Sequence, residues 1–524
     1  MQARLSSEDR GLSTRAQMEG GVGRWSMTGG VSLKGFGDLR AGGPIGRQLN
    51  TGYDAAAGDV KVTYSIAKDH EFTFSAERLQ QEDVRRTDFL KAGSNLRYDW
   101  SPEQRQMFLL QYEHGPLGRF IDDLQVSVTS QHHRESINDI VASRPNILRK
   151  QDDQVRTEGI VLQSTSHRGE RHVFTYGLDY CLDRVVSGQN DLNLLSSVRT
   201  PAKSRFADGS HFRSVAGFVQ DEIAINQDLT LNLRARYSRF NLHAKITDAA
   251  TGTVLIDSAP AAITAGAYLS RCLRPGLFLV GGVGQGFRAP NVDDATIVGS
   301  FASGLEVPNP ELKPERAINY ETGLKYQGKR LTGTASVFLS GFRDLIDRAP
   351  GTYLGLPYLD SNNNRVRDKG EELIFQRLNV GQATITGLEL EGSLRLTGTW
   401  SAWSNASWLR GVDTLQRAPL TRMPPAKGEV GLRWQTTRRF WMEPWMFYAL
   451  RQTRLSNADR LDPRIARGGT PGFARAGARA GMSLGEIGVL TVNLGNLNNK
   501  AYRQHGSGID GPGRGVDVML SRTL

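Results

Sequence analysis

Leu229, Leu231, Leu233, Ala235 and Tyr237 share one parity along the chain, and Thr230, Asn232, Arg234, Arg236 and Ser238 share the other. A period of two marks extended chain, because successive side chains of a strand leave on opposite faces. Leu388, Leu390, Gly392, Leu394 and Leu396 alternate in the same way with Glu389, Glu391, Ser393, Arg395 and Thr397. So do Leu331, Gly333, Ala335, Val337 and Leu339 with their polar neighbours, and Leu124, Val126 and Val128 with theirs. Strand-like segments recur near residues 25–35, 58–66, 70–80, 92–100, 105–113, 122–131, 157–166, 171–181, 213–225, 228–243, 262–272, 276–287, 317–327, 330–340, 373–379, 384–397, 400–410, 427–435, 440–451, 473–484, 487–496 and 513–523. Short turns such as Asn226-Gln227-Asp228, Gln327-Gly328-Lys329 and Thr397-Gly398-Thr399 alternate with longer polar loops. A soluble sandwich alternates too, so one strand decides nothing; the number of strands and the short-turn, long-loop rhythm predict a transmembrane antiparallel β-barrel of about 20–22 strands. No four-stranded blade repeat is present, which argues against a propeller.

Composition narrows this reading. Mean hydropathy is −0.40 and no run of about 18 apolar residues exists, which excludes a helical membrane protein. A barrel escapes that test because only alternate residues meet lipid. The 524 residues carry a net charge of +11, with basic residues scattered rather than gathered in a tract. That spread argues against nucleic acid as a partner and suits a lumen and loops meeting anionic ligands or lipopolysaccharide. Cys181 and Cys272 form no metal pattern and read as isolated strand residues. No GxSxG elbow, HExxH or P-loop occurs, so no enzyme is expected. Glu389 and Glu391 read as lumen lining.

Two boxes then add a specific likeness. Gly284-Gln285-Gly286-Phe287-Arg288-Ala289-Pro290-Asn291 and Asn309-Pro310-Glu311-Leu312-Lys313-Pro314-Glu315 resemble the paired "FRAP" and "NPxLKPE" boxes of TonB-dependent outer-membrane receptors. Further segments resembling that family are 217–222, 319–326, 379–391, 493–503 and 511–514. The resemblance implies a barrel in the bacterial outer membrane that takes up a scarce nutrient, chiefly an iron complex such as a siderophore or haem. It implies TonB as the energy-supplying partner, acting through a plug domain, with no bound nucleotide. The motif positions Phe287, Arg288, Pro290, Asn309, Pro310, Leu312, Pro314 and Glu315 are expected to be structural rather than ligand-binding.

In the family a signal peptide, a TonB box and a plug precede the barrel. Met1 to Arg10 has no apolar core, and Ser6-Ser7-Glu8-Asp9-Arg10-Gly11 resembles an early barrel portion. The expectation is one near-complete barrel domain over residues 1–524 without its plug. Alternatives are a truncated remnant acting as a passive pore or inactive, and a soluble β-rich interaction module. Members usually end in an aromatic residue, whereas this chain ends in Leu524, whose parity with Val516, Val518 and Leu520 places it on the apolar face.

Arg422-Met423-Pro424-Pro425, Arg464-Ile465 and Gly468-Gly469-Thr470-Pro471-Gly472 lean toward the haem and haemoglobin branch. That branch carries an axial histidine between the two boxes, since haem iron accepts an imidazole nitrogen. Residues 291–308 contain none, and the adjacent pair His132-His133 points to opposite faces of a strand. Asp360, Asn362, Asn364, Asp368 and Glu371 fall at positions 1, 3, 5, 9 and 12 of a calcium-type loop, with Arg365 where the sharp turn favours glycine. Apart from calcium, no cofactor is expected. Trp400, Trp403, Trp408, Trp434, Trp441, Trp445 and Tyr448 read as a membrane-interface girdle.

Overall fold

The computed structural model describes residues 1–248, 252–301, 304–362, 364–368, 371–436 and 439–523; Leu524, expected on the apolar face, lies outside them. Twenty-two strands close into one antiparallel barrel. Closure runs through the short strand Gln2–Ser6, where Leu5 lies between Val518 on one neighbour and Leu12 on the other. The Met1 amino group donates to the Arg522 carbonyl at 2.7 Å, so both ends of the described chain meet at one rim. The three expected short turns all lie at that rim, and the long connections all lie at the opposite one. The only helices among the described residues are single turns, and none is long and apolar enough to cross a membrane.

The expected strand number is met through compensating differences. Segments 92–100 and 105–113 are one strand, Asn95–His114, which continues past Pro102 because a register shift opposite Glu135 and Ile137 absorbs the break. Segments 373–379 and 384–397 are likewise one strand, Ile374–Arg395, with a bulge opposite Leu345. Gln2–Ser6 and Leu12–Val22 restore the number. Several strands are far longer than the 9–11 residues that cross a bilayer; His172–Asn193 has 22 and stands well above it.

Register sorts side chains by face, since directly paired residues share one. Val337 pairs with Leu388 and Thr322, and Ala335 with Leu390 and Leu324. These form the exposed aliphatic band of the outer wall, while Glu389 and Glu391 face the lumen as expected. The girdle expectation holds for only part of the tryptophans. Trp400, Trp408 and Trp434 share faces with Ala402, Leu388 and Leu432 and point outward. Trp403, Trp441 and Trp445 have the other parity and face the lumen. Their indoles lie over Gly431, Gly481 and Gly477 of neighbouring strands, where a β-carbon would clash with the ring. Arg433 stacks on Trp441 at 4.1 Å and Arg475 on Trp445 at 4.9 Å. Glycine opposite each ring, and a cation above it, explain why these aromatics turn inward. The two cysteines are free thiols.

Candidate functional site

The two boxes stand at the long-loop rim, at the ends of adjacent strands Leu277–Arg288 and Glu315–Gln327, and bracket the connection between them. Arg288 and Glu315 face each other across the pair. The guanidinium donates from Nε to Oε2 at 2.6 Å and from Nη2 to Oε1 at 2.8 Å, a two-pronged contact. A third donor, Nη1, reaches Asp294. Asp294 is also the reciprocal partner of Asn291 in the capping box that starts the one-turn helix Val292–Thr296. Glu315 further accepts the Ile346 amide at 2.8 Å, tying a third strand to the pair.

Inside this clasp the loop folds onto itself. Asn309 donates to the Arg377 carbonyl at 2.8 Å while its own Oδ1 accepts the Glu311 amide, which fixes the turn at Pro310. Leu312 is buried in a core with Leu242, Ala244, Ile246, Ile256, Val292 and Ala295. Pro290 is buried, Pro314 half-buried, and Phe287 meets Phe240 edge-on at 5.5 Å. The box residues thus come together as one clasp. Two contributors carry no expected role. Asn379 receives the Lys313 amide and donates to the carbonyls of Lys313 and Asp344. Glu306, 1% exposed, sits between Arg348 and Arg377, each donating from Nε at 2.8 Å. Asn379 stood inside a family-like segment, but its capping of two loops depends on tertiary placement that no spacing reports.

A second cluster gathers the haem-branch segments. The Arg422 amide donates to buried Asp459, and the Arg422 and Arg464 side chains both reach Asp462. Gln452 donates to the Met423 carbonyl at 2.6 Å and exchanges backbone bonds with Thr470. Thr470 Oγ1 lies 2.8 Å from His505 Nδ1, while His505 Nε2 is buried without a partner. Burial holds the His505 imidazole below its ordinary pKa, against the opposing pull of Asp459 and Asp462. Burial pushes the nearby Asp510 carboxyl upward, but the Arg503 guanidinium outweighs it and keeps that group below the usual carboxylate range.

The calcium-type residues fall in one loop. Asp360 accepts the backbone amides of Asn364 and Arg365, Asp368 accepts the side-chain amides of Asn362 and Asn364, and Glu371 accepts the backbone amides of Ser361 and Asp368. Arg365 takes φ 59°, the turn a glycine would make without strain. Among the described residues no three His, Cys, Asp or Glu side chains converge as a metal-ligand set. His132 and His133 point to opposite faces, toward Gln154 and Glu103 respectively.

Comparison with known proteins places this architecture. The family model "TonB dependent receptor-like, beta-barrel" matches residues 28–499, and the chain belongs to that family. The hemoglobin-haptoglobin utilization protein B of Neisseria meningitidis is 26% identical over 247 residues, covering 43% of this chain and 30% of that protein. The chain therefore aligns with less than a third of this relative's length. Among solved structures, the copper transporter OprC superposes with TM-score 0.80 at 15% identity, covering 99% of this chain and 79% of that one. The Serratia marcescens hemophore receptor HasR, solved with its hemophore HasA and heme, gives 0.78 at 16% identity, with 99% and 79% covered. These structural likenesses establish the fold alone.

Proposed function

We propose that the chain is the transport barrel of an outer-membrane uptake receptor for an iron complex, haem or a siderophore, energised by TonB acting through a plug. The observation that carries this reading is the clasp: both family boxes are present and close one loop over the long-loop, extracellular rim. The haemoglobin-haptoglobin relative favours haem within this class. The copper transporter marks the limit of fold as a guide to cargo. A Gram-negative host lacking its own haem and siderophore receptors, carrying the gene for this protein, would test it. Growth on haemin or on a ferric siderophore as sole iron source, lost when TonB is deleted, is the expected result. No growth on any iron source with the barrel correctly inserted would overturn it.

Within the same proposal the 360–371 loop is a calcium-stapled extracellular segment, supported by its oxygen spacing and the turn at Arg365. Calorimetric titration of the refolded chain with calcium is expected to give saturable heat; none above dilution would end that part.

A further inference from the structure

The short-turn rim carries a side-chain cluster that neither the clasp nor the lumen uses. His70 opens the strand His70–Glu82, His114 closes the strand Asn95–His114, and register sets the two directly opposite each other. Phe72 and Tyr112 form the next pair on that face and stack with ring centroids 4.6 Å apart. Phe74 and Leu110, both exposed on the outer wall, follow. The histidines therefore stand on the outer face at its lower edge, one aromatic step below the aliphatic band. Their imidazoles meet edge to face with centroids 4.0 Å apart.

Hydrogen bonding leaves both rings with the same nitrogen to offer. His114 Nδ1 lies 2.8 Å from the Gly115 carbonyl oxygen, which only accepts, so Nδ1 carries the proton and Nε2 keeps its lone pair. His70 Nδ1 lies 3.3 Å from the Tyr112 hydroxyl, which can accept from it and leave Nε2 unprotonated in the same way. Neither Nε2 makes a hydrogen bond among the described residues. Two further histidines at this rim differ: His167 and His172 each turn Nδ1 toward a carboxylate, Asp122 at 3.0 Å and Asp221 at 2.9 Å. Backbone also holds the pair in place. The Gly115 amide donates to the Asp69 carbonyl at 2.6 Å, joining the turn before His70 to the connection after His114. Imidazoles fixed through Nδ1 and open at Nε2 are ligands prepared for a metal ion. Nitrogens bound to one such ion at about 2.0–2.1 Å stand roughly 3 Å apart, a separation that rings at this spacing reach by rotation about χ2.

We propose that His70 and His114 form a two-histidine chelate for a divalent transition-metal ion, copper(II) ahead of zinc(II), with water completing its coordination. Imidazole nitrogen suits both ions, and copper(II) binds such ligands more tightly. The bound ion ties the turn Lys68-Asp69 to the connection 115–122 at the last pair of the ladder. With the long loops extracellular, as proposed above, this staple faces the periplasm; the binding itself stands apart from the transport reading.

The refolded full chain in detergent, free of any polyhistidine tag and stripped with a chelator, would be titrated calorimetrically with copper(II) and with zinc(II). Excess calcium in the buffer keeps the oxygen-rich 360–371 loop from competing. One saturable site is expected for each ion. H70Q and H114Q are each expected to weaken that site at least about tenfold, while H172Q, at the same rim, leaves it unchanged. Heat-modifiable migration reports barrel formation for each variant. The electron paramagnetic resonance spectrum of copper(II) on the unaltered chain tests the ligands without any substitution, and coupling to two imidazole nitrogens is expected. No saturable heat from either ion, undiminished binding in a folded H70Q/H114Q double variant, or a copper(II) spectrum without imidazole coupling would each overturn the proposal.

Discussion

The strand Leu229–Asp248 obeys opposite rules in its two halves. From Leu229 to Tyr237 the odd positions are apolar and face outward, while Arg234 and Arg236 face the lumen. Beyond the half-buried pair Phe240 and Asn241, the odd positions His243 and Lys245 are exposed, like Arg239 below them, and the even ones Leu242, Ala244 and Ile246 are buried. The backbone does not change; the surroundings do. Below Tyr237 the outer face meets hydrocarbon, where an ionised side chain costs several kcal/mol. Above it the outer face meets water, and the inner face is covered by the clasped loop bearing Leu312 and Val292. The lower half is a membrane wall, and the upper half is built like a water-soluble core. Arg239, next beyond Tyr237 on the outer face, marks the switch point.

Charge placed in either half tests this division. Ile256 has no exposed surface and packs in the upper core, so Ile256→Asp is expected to cost about 3–5 kcal/mol there. The damage is expected to stay above the switch: amide exchange across residues 252–258 and 289–314 accelerates while the strand bases remain protected. Uniform loss of protection would mean that upper core and wall unfold as one unit. Leu390→Arg, in the outer aliphatic band, is the reciprocal test. Urea unfolding from lipid vesicles is expected to show a loss of ~2–4 kcal/mol, less toward either rim. A neutral result would place that face away from lipid.

The wall was legible in the sequence and the upper core was not, for one physical reason. Alternation reports that two faces differ, and it reads the same whether the outside is lipid or water. Leu242 and Ile246 continue the period of Leu229 and Leu231 with opposite sense, and only the clasped loop reveals which side is covered. The tryptophans were a different case. Trp403 differs in parity from Trp400 and Trp408 on its own strand, so its lumen position is legible from parity, which residue type alone does not report. Gly431, Gly477 and Gly481 were the accompanying signal, since each leaves room for an indole. The clasp was half legible: the boxes named Arg288 and Glu315, but Asn379 and Glu306 act across long stretches of chain that spacing cannot join.

A smaller effect sharpens the same boundary at its upper side. Glu315→Gln removes the charge that Arg288 grips from two nitrogens and leaves three strands less firmly tied. Arg288 is 44% exposed, so solvent screening limits the loss to ~1 kcal/mol. Limited proteolysis is expected to cut within 289–314 several times faster, with wall stability unchanged in urea. Asn379→Ala is expected to give the same pattern through a neutral contact, and nicking elsewhere in either variant would detach the clasp from that loop.

The smallest expected effect concerns acid and separates the two loop clusters. His505 has a folded pKa below its unfolded value of 6.5, because burial disfavours the imidazolium. A depressed folded pKa means that the stabilisation is present above the unfolded value and is lost as pH falls below it. Asp510, five residues along in the same loop, is depressed from 3.8, so its contribution persists until far more acid conditions. As pH falls below 6.5, then, protonation of this imidazole works against the folded loop. Amide exchange in residues 496–514 and around Thr470 is expected to rise as pH falls, while the core around Ile256, whose strand histidines His211 and His243 are both exposed, stays constant. His505→Gln is expected to abolish the step, leaving exchange flat with pH. A step that survives the substitution would assign acid sensitivity to another group and leave the Thr470 contact without a role in it.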